Sequence, residues 1–215
     1  MFNKLAVIED LLEGRDVSRE TINKLEIYYT LLKKWNSAYN LVENESLQKA
    51  INRHYLDSIQ LYKLIDPNKS LVDVGAGAGF PGMVIAILGA SKVTLVESNR
   101  KKCLFMNEVA RLTSTSVNIL NSRIEQISDN YEQVTARAFS SLLNLLLIIK
   151  NVSRETNAVG YFLKGESWQE EIKLCERKGW EFSYNMTSSL THEKAAIIKI
   201  WDIKNNEASQ NYCRS

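Results

Sequence analysis

Apolar residues return every three or four positions at Ile22, Leu25, Tyr29, Leu32, Trp35 and Tyr39, the spacing that lines one face of a helix, and Ser18 is placed to cap its start. A second stripe, Ile51, Tyr55, Ile59 and Tyr62, predicts another amphipathic helix over residues 47–65, closed by the turn signal Asp66-Pro67-Asn68. Beyond that turn the pattern changes. Leu71-Val-Asp-Val74 and Val93-Thr-Leu-Val96 are short apolar runs suited to strands buried on both faces. Between them Met83 to Leu88 is apolar nearly all round, as in a helix packed on a sheet, and Gly89 is a helix stop. The alternation then continues with a helix over 100–112 capped by Ser98, strands at 117–120 and 134–139, an apolar helix over 142–149, a strand at 158–164 and a helix over 168–178. The last two strands, 180–186 and 195–201, are joined by a polar turn too short for a crossover helix, so they form an antiparallel hairpin.

This order predicts an α/β fold: a Rossmann-like, mostly parallel sheet with helices on both faces, a C-terminal antiparallel hairpin and an N-terminal helical segment. Residues 1–66 form the helical segment, 67–203 the sheet domain, and the polar stretch 204–215 a tail expected to be disordered. The chain has 215 residues, enough for one substantial core with a smaller appendage. Its 27 basic and 25 acidic residues leave a net charge of only +2, so nucleic acid would have to be met by a local basic patch. Cys103, Cys175 and Cys213 are odd in number and far apart, which argues against a disulfide framework and against a metal site, and fits a reducing, cytoplasmic setting. No apolar run is long enough to span a membrane, so no membrane partner is expected.

Candidate chemistry centres on Asp73-Val-Gly75-Ala-Gly77-Ala-Gly79-Phe80-Pro81-Gly82, a strand end followed by four glycines in eight positions. Glycine suits a turn whose backbone takes positive φ and approaches a ligand closely. Gly77-x-Gly79-x-x-Gly82, with Glu97 some way on to bond a ribose, also satisfies the dinucleotide pattern, which does not separate NAD from S-adenosylmethionine. The carboxylate of Asp73 tips the balance toward the second, because it would attract the cationic methionine end and repel a pyrophosphate. For Asp73 itself, a bond to the loop backbone and a ligand contact are both open.

The same stretch resembles the cofactor loop of class I S-adenosylmethionine methyltransferases in the variant of the glucose-inhibited division protein B family. Trp35-Asn-Ser-Ala-Tyr-Asn-Leu41 and Arg53-His54-Tyr-Leu-Asp57-Ser58 resemble that family's helix motifs, and Ser122-Arg-Ile-Glu125, Ala136-Arg137-Ala-Phe139 and Leu163-Lys164-Gly165 resemble its later blocks. Val42 and Ala78 depart from a threonine and a proline frequent there. The resemblance implies methyl transfer to a guanine N7 of 16S rRNA in the small ribosomal subunit, with cofactor contacts at Gly75, Phe80, Ile124, Glu125 and Arg137.

Read from the residues, Glu97 at a strand end suits the ribose hydroxyls, with Asp73 and Gly77 beside it in the turn. Arg137 suits the same sheet edge, against the alternative of a surface ion pair. Arg53, His54, Arg123 and Lys164 are candidate substrate contacts, each weighed against a plain role: for the lysine and arginines a solvated charge, and for His54, with Asp57 and Ser58 on its helix face, a polar brace, which ranks first. Trp35 and Tyr39 are expected to be core rather than stacking platforms. No catalytic base is expected, because guanine N7 already carries a lone pair. A small-molecule methyltransferase, an NAD-dependent oxidoreductase and a non-catalytic ribosome-binding protein are the alternatives.

Overall fold

The structure, a computed structural model, describes residues 18–42, 47–153 and 157–205. It begins with helices α1 (Arg19–Tyr39) and α2 (Leu47–Tyr62). There follow β1 (Leu71–Val74), α3 (Gly82–Ile87), β2 (Val93–Val96), α4 (Arg100–Thr113), β3 (Asn118–Leu120), a single 3-10 turn at Ile124–Gln126 and β4 (Gln133–Arg137). The chain then forms α5 (Leu142–Val152), β5 (Val159–Lys164), α6 (Trp168–Arg177), β6 (Trp180–Ser188) and β7 (Ala196–Asn205). The seven strands form one sheet in the order β3-β2-β1-β4-β5-β7-β6. β1 to β5 run parallel, and β7 pairs antiparallel with both β5 and β6. The α/β class and the closing hairpin are as the sequence pattern predicts.

Alternate residues of the buried strands feed two cores, because successive side chains leave opposite faces of a strand. Leu71, Val93 and Leu95 enter a cluster with Leu25, Tyr28 and Leu32 of α1, Ile59 of α2, Met83 of α3 and Phe105 of α4. Val72, Val74, Val96, Val134 and Phe162 enter another with Leu145, Leu146 and Ile149 of α5 and Ile172 of α6. The two N-terminal helices therefore share one hydrophobic core with a face of the sheet.

Several local expectations shift by a residue or a few. The buried stripe of α1 is Leu25, Tyr28, Leu32 and Asn36, so Tyr28 takes the central place expected of Tyr29. Trp35 does pack against the aromatic ring of Phe105, but Tyr39 is 47% exposed rather than core. Ser18 caps α1 as predicted, accepting from Thr21 N. The cap of α4 is Asn99 and not Ser98: its side chain accepts from the amides of Lys101 and Lys102. Helix α2 ends at Tyr62, short of 65. β4 stops at Arg137, short of Phe139, because Ala138 turns to φ 48°. Lys204 and Asn205 belong to β7 rather than to a tail, and residues 206–215, with Cys213, lie outside the described residues.

Ile59 is fully enclosed beneath the sheet, whereas Leu104 on α4 is 52% exposed. Ile59→Ala should lower unfolding stability by about 2–5 kcal/mol through lost contacts and a residual cavity. Leu104→Ala should change it by about 0.5 kcal/mol or less. Urea denaturation of the two variants beside the unmodified chain checks the contrast.

Candidate active site

In a doubly wound sheet the chain reverses direction at one place, and the crossovers on either side of it diverge to leave a crevice at the strands' carboxyl ends. Here that place is between β1 and β4, and a cleft of about 850 Å³ opens there. One wall is the turn after β1, Gly75 to Ala78, with Arg137 at the end of β4 and Ala138 just beyond it. The opposite wall is α2, through Arg53, His54 and Asp57, together with Ser189 and Thr191 from the connection between β6 and β7.

The turn is built from positive backbone angles, with φ 66° at Gly75, 60° at Gly77 and 96° at Gly79. Gly75 is further restricted, because an added Cβ would stand 2.0 Å from Cδ2 of Phe139. Beneath the turn every charge is engaged. Asp73 is fully buried, with Oδ2 accepting from Gly82 N at 2.9 Å and Oδ1 from the Thr135 hydroxyl at 3.1 Å. Burial pushes its carboxyl up to about 7 despite those two bonds. Glu97 accepts from Gly77 N at 2.9 Å through Oε2 and from Asn99 N at 2.8 Å through Oε1. From the helical side the buried Tyr28 hydroxyl donates to the carbonyl of Ala78, and its ring stacks on Phe80 at 5.1 Å.

Phe80 in turn meets the charged part of the cleft. The Arg137 guanidinium lies 5.5 Å from its ring centroid and the His54 ring 5.0 Å. Arg137 Nη1 donates to His54 Nδ1. Arginine carries only donors, so this contact assigns the imidazole proton to Nε2. Burial first, then the positive charges of Arg137 and Arg53, drop the His54 imidazole to about 3, so it is neutral. Burial also lowers the Arg137 guanidinium from its ordinary value, opposed by the nearby carboxylates of Asp57 and Asp73.

Of the residues singled out in the sequence, Gly75, Gly77, Phe80, Arg137, Arg53, His54 and Lys164 border this cleft. Asp73 and Glu97 stand behind the turn and hold its amides. For Asp73, the loop bond left open by the sequence is present. Arg123, Ile124 and Glu125 lie apart on the 3-10 turn: Arg123 and Glu125 are exposed, and Ile124 is buried in the second core. Lys164 is neither solvated nor free. It pairs with Glu171 at 2.7 Å and donates to the carbonyl of Ser140 at 2.9 Å. Tyr28, Lys102 and the residues between β6 and β7 were not singled out, although Tyr28 and Lys102 join this neighbourhood. Lys102 follows directly from the basic run Arg100-Lys-Lys102 after β2, a signal the sequence carried. The other positions had none, because only tertiary contacts bring them in.

The family model for rRNA small subunit methyltransferase G matches residues 21–200. This chain belongs to that family. A family protein from Rickettsia akari is 40% identical over 187 residues, covering 86% of this chain and 96% of its own. Another from Rickettsia bellii is 38% identical over 189 residues, covering 87% and 97%. Among solved structures, magnesium protoporphyrin IX methyltransferase from Synechocystis PCC 6803, crystallised with bound SAM, has a TM-score of 0.58 at 14% identity, covering 87% of this chain and 99% of its own. Ribosomal protein L11 methylase from Lactobacillus delbrueckii subsp. bulgaricus has a TM-score of 0.54 at 14% identity, covering 66% and 77%. At such identities these two speak for the fold alone. Among the described residues no helix is long and apolar enough to cross a membrane, and no group of His, Cys, Asp or Glu is gathered to hold a metal.

The buried carboxyl of Asp73 makes a pH-dependent contribution to stability. Its folded-state value of about 7 exceeds the ordinary 3.8, so the native state binds the extra proton between those limits. The contribution of this group to stability therefore falls as pH rises from about 4 to about 7, and stays level above. Asp73→Asn, which cannot ionise, should gain stability relative to the unmodified chain across that window. Urea midpoints at about pH 4.5, 6 and 7.5 check it, and a difference that does not move with pH would contradict the assignment.

Proposed function

We propose that this protein transfers a methyl group from S-adenosylmethionine to N7 of a guanine in 16S rRNA of the small ribosomal subunit, near the decoding centre. The observation that carries the reading is the cleft at the strand-order reversal: a glycine turn backed by two buried carboxylates on one side, α2 with Arg53 on the other, and Lys102 and Arg137 also bordering it. Family membership over residues 21–200 supports the rRNA substrate.

The residues fit a cationic cofactor better than a dinucleotide. Glu97 places negative charge directly behind the turn, joined by Asp73 as it ionises around pH 7, an arrangement favourable to a sulfonium and an ammonium and unfavourable to a pyrophosphate. Gly75, Gly77 and Phe80 would cradle it, Glu97 would accept from the ribose and Arg137 would face the carboxylate, while the Ile124–Glu125 turn, which the family resemblance puts at the adenine, lies outside the cleft. When bound, S-adenosylmethionine supplies an electrophilic methyl group, chemistry that a lone-pair nucleophile completes without losing a proton.

The chain's own work is then positional. Guanine N7 presents its lone pair in the major groove edge, so no base is required. His54 agrees with this, since its Nδ1 lone pair is occupied by Arg137 and its neutral ring, protonated at Nε2, takes a second proton only near pH 3. Holding acceptor and donor in line in a partly closed cleft can supply about 7–11 kcal/mol of the barrier. Arg53, Lys102 and the rim of the cleft would meet phosphates as charges. A cytoplasmic setting, where small subunits are assembled, follows from this reading.

Two measurements test it. Tritiated methyl transfer to 30S subunits, to free 16S rRNA and to an RNA-free control should place label in 7-methylguanine, identified by mass spectrometry. Label in no RNA would overturn the reading. Glu97→Ala frees the Gly77 amide in the turn and the Asn99 amide at the start of α4, and a charge-assisted bond of about 1.5–3 kcal/mol lost at the turn predicts at least a tenfold loss of S-adenosylmethionine affinity by calorimetry. Unchanged affinity would remove Glu97 from the cofactor site.

A further inference from the structure

The cleft wall opposite the turn carries a carboxylate that cofactor binding does not use. Asp57 on α2 is 6% exposed and borders the cleft. Its Oδ1 accepts from the Thr191 hydroxyl at 2.7 Å and from the Ser189 hydroxyl at 3.3 Å. Gln60, one turn along, grips the same connection through its backbone: Nε2 donates to the Ser188 carbonyl at 2.7 Å and Oε1 accepts from Leu190 N at 3.1 Å. An uncharged amide thus already ties the β6–β7 connection to α2, so tethering alone does not call for a buried charge.

The second oxygen of Asp57 is the informative one. No described residue donates to Oδ2. Asp57 lines the cleft, and Oδ2 is not among the enclosed side-chain polar atoms left without a partner, which among the described residues are the Tyr55 hydroxyl alone. A largely buried carboxylate lining a binding cleft is an acceptor suited to ligand N–H groups.

We infer that Asp57 Oδ2 accepts from the Watson–Crick edge of the target guanine and selects guanine over adenine, an inference that rests on the function proposed above. Guanine offers N1–H and the N2 amino group on that edge, whereas adenine offers a lone pair at N1, which the carboxylate repels. The shape of the purine agrees, because N7 lies on the far side of the base from N1 and N2. A guanine with its pairing edge against α2 and the β6–β7 connection turns N7 across the cleft toward Gly75 to Ala78. A base free of its pairing partner has that edge available.

The test compares kcat/KM for methyl transfer to small subunits reconstituted with guanine or adenine at the target nucleotide, since adenine N7 also carries a lone pair. The unmodified enzyme should prefer guanine at least tenfold. Asp57→Ala and the isosteric Asp57→Asn should each shrink that preference tenfold or more, with S-adenosylmethionine affinity within twofold of the unmodified chain. Gln60→Ala, which loosens the same connection, should slow both substrates alike and keep the preference. An equal loss on both bases in the Asp57 variants, or an unmodified enzyme that accepts adenine as readily as guanine, overturns the inference while leaving the proposed function standing. Transfer to neither base by the unmodified enzyme overturns the proposed function itself. The alanine and asparagine variants are read separately, and the preference of the unmodified enzyme stands whether or not either folds.

Discussion

A turn that offers its backbone to a ligand gives up the regular bonding that helices and strands supply, and its shape has to be held from outside. Asp73 fixes the far end of the turn through Gly82 N, Glu97 fixes its middle through Gly77 N, and Tyr28 fixes Ala78 through its carbonyl. Three different elements, β1, the end of β2 and α1, meet at one loop. Gly82 could not be another residue, since a Cβ there would lie 2.3 Å from Leu95 Cδ2 and 2.8 Å from Asp73 Cβ. The close seating of α3 on the sheet and the charge behind the turn are therefore one arrangement.

The helical layer participates in that arrangement rather than decorating it. Tyr28 reaches the turn from α1, Tyr55 packs edge-on to Phe80 from α2 at 5.2 Å, and His54 lies against the same ring. Phe80 is the shared surface: Tyr28 covers it in near-parallel fashion, at 16° between planes, and Arg137 approaches it as a cation. Aromatic contacts of this kind contribute about 0.5–1.5 kcal/mol each beyond their burial. A neutral imidazole beside a guanidinium avoids placing two like charges in a half-closed space, and it leaves the positive potential there to Arg137 and Arg53.

How much of this was legible in the chain varies with the range of the interaction. Strands β1 and β2, the glycine turn and the antiparallel ending follow from period and punctuation within ten or so residues, and all stand where the pattern puts them. Neighbouring polar residues compete on equal terms in a sequence: Ser98 and Asn99 are both good caps, and the choice falls to Asn99 because Glu97 takes its amide. Tyr28 and Tyr29 differ by one position around α1, and only the place of Phe80 decides which is buried. Lys164 has the look of a free cation until α6 brings Glu171 beside it. Asp57 and Gln60 are polar positions on an amphipathic helix until a segment some 130 residues later in the chain arrives to bond them.

That last separation has a consequence for the order in which the molecule becomes competent. The glycine turn and its supporting carboxylates are complete once β4 has paired with β1. The opposite wall is not, because Ser189 and Thr191 come from between the final two strands, and β7 must slot between β5 and β6 before they are held against α2. A chain emerging from the ribosome can thus shape its turn well before it owns a complete cleft. Recognition is the last property this fold acquires, arriving only when almost the whole chain has been made.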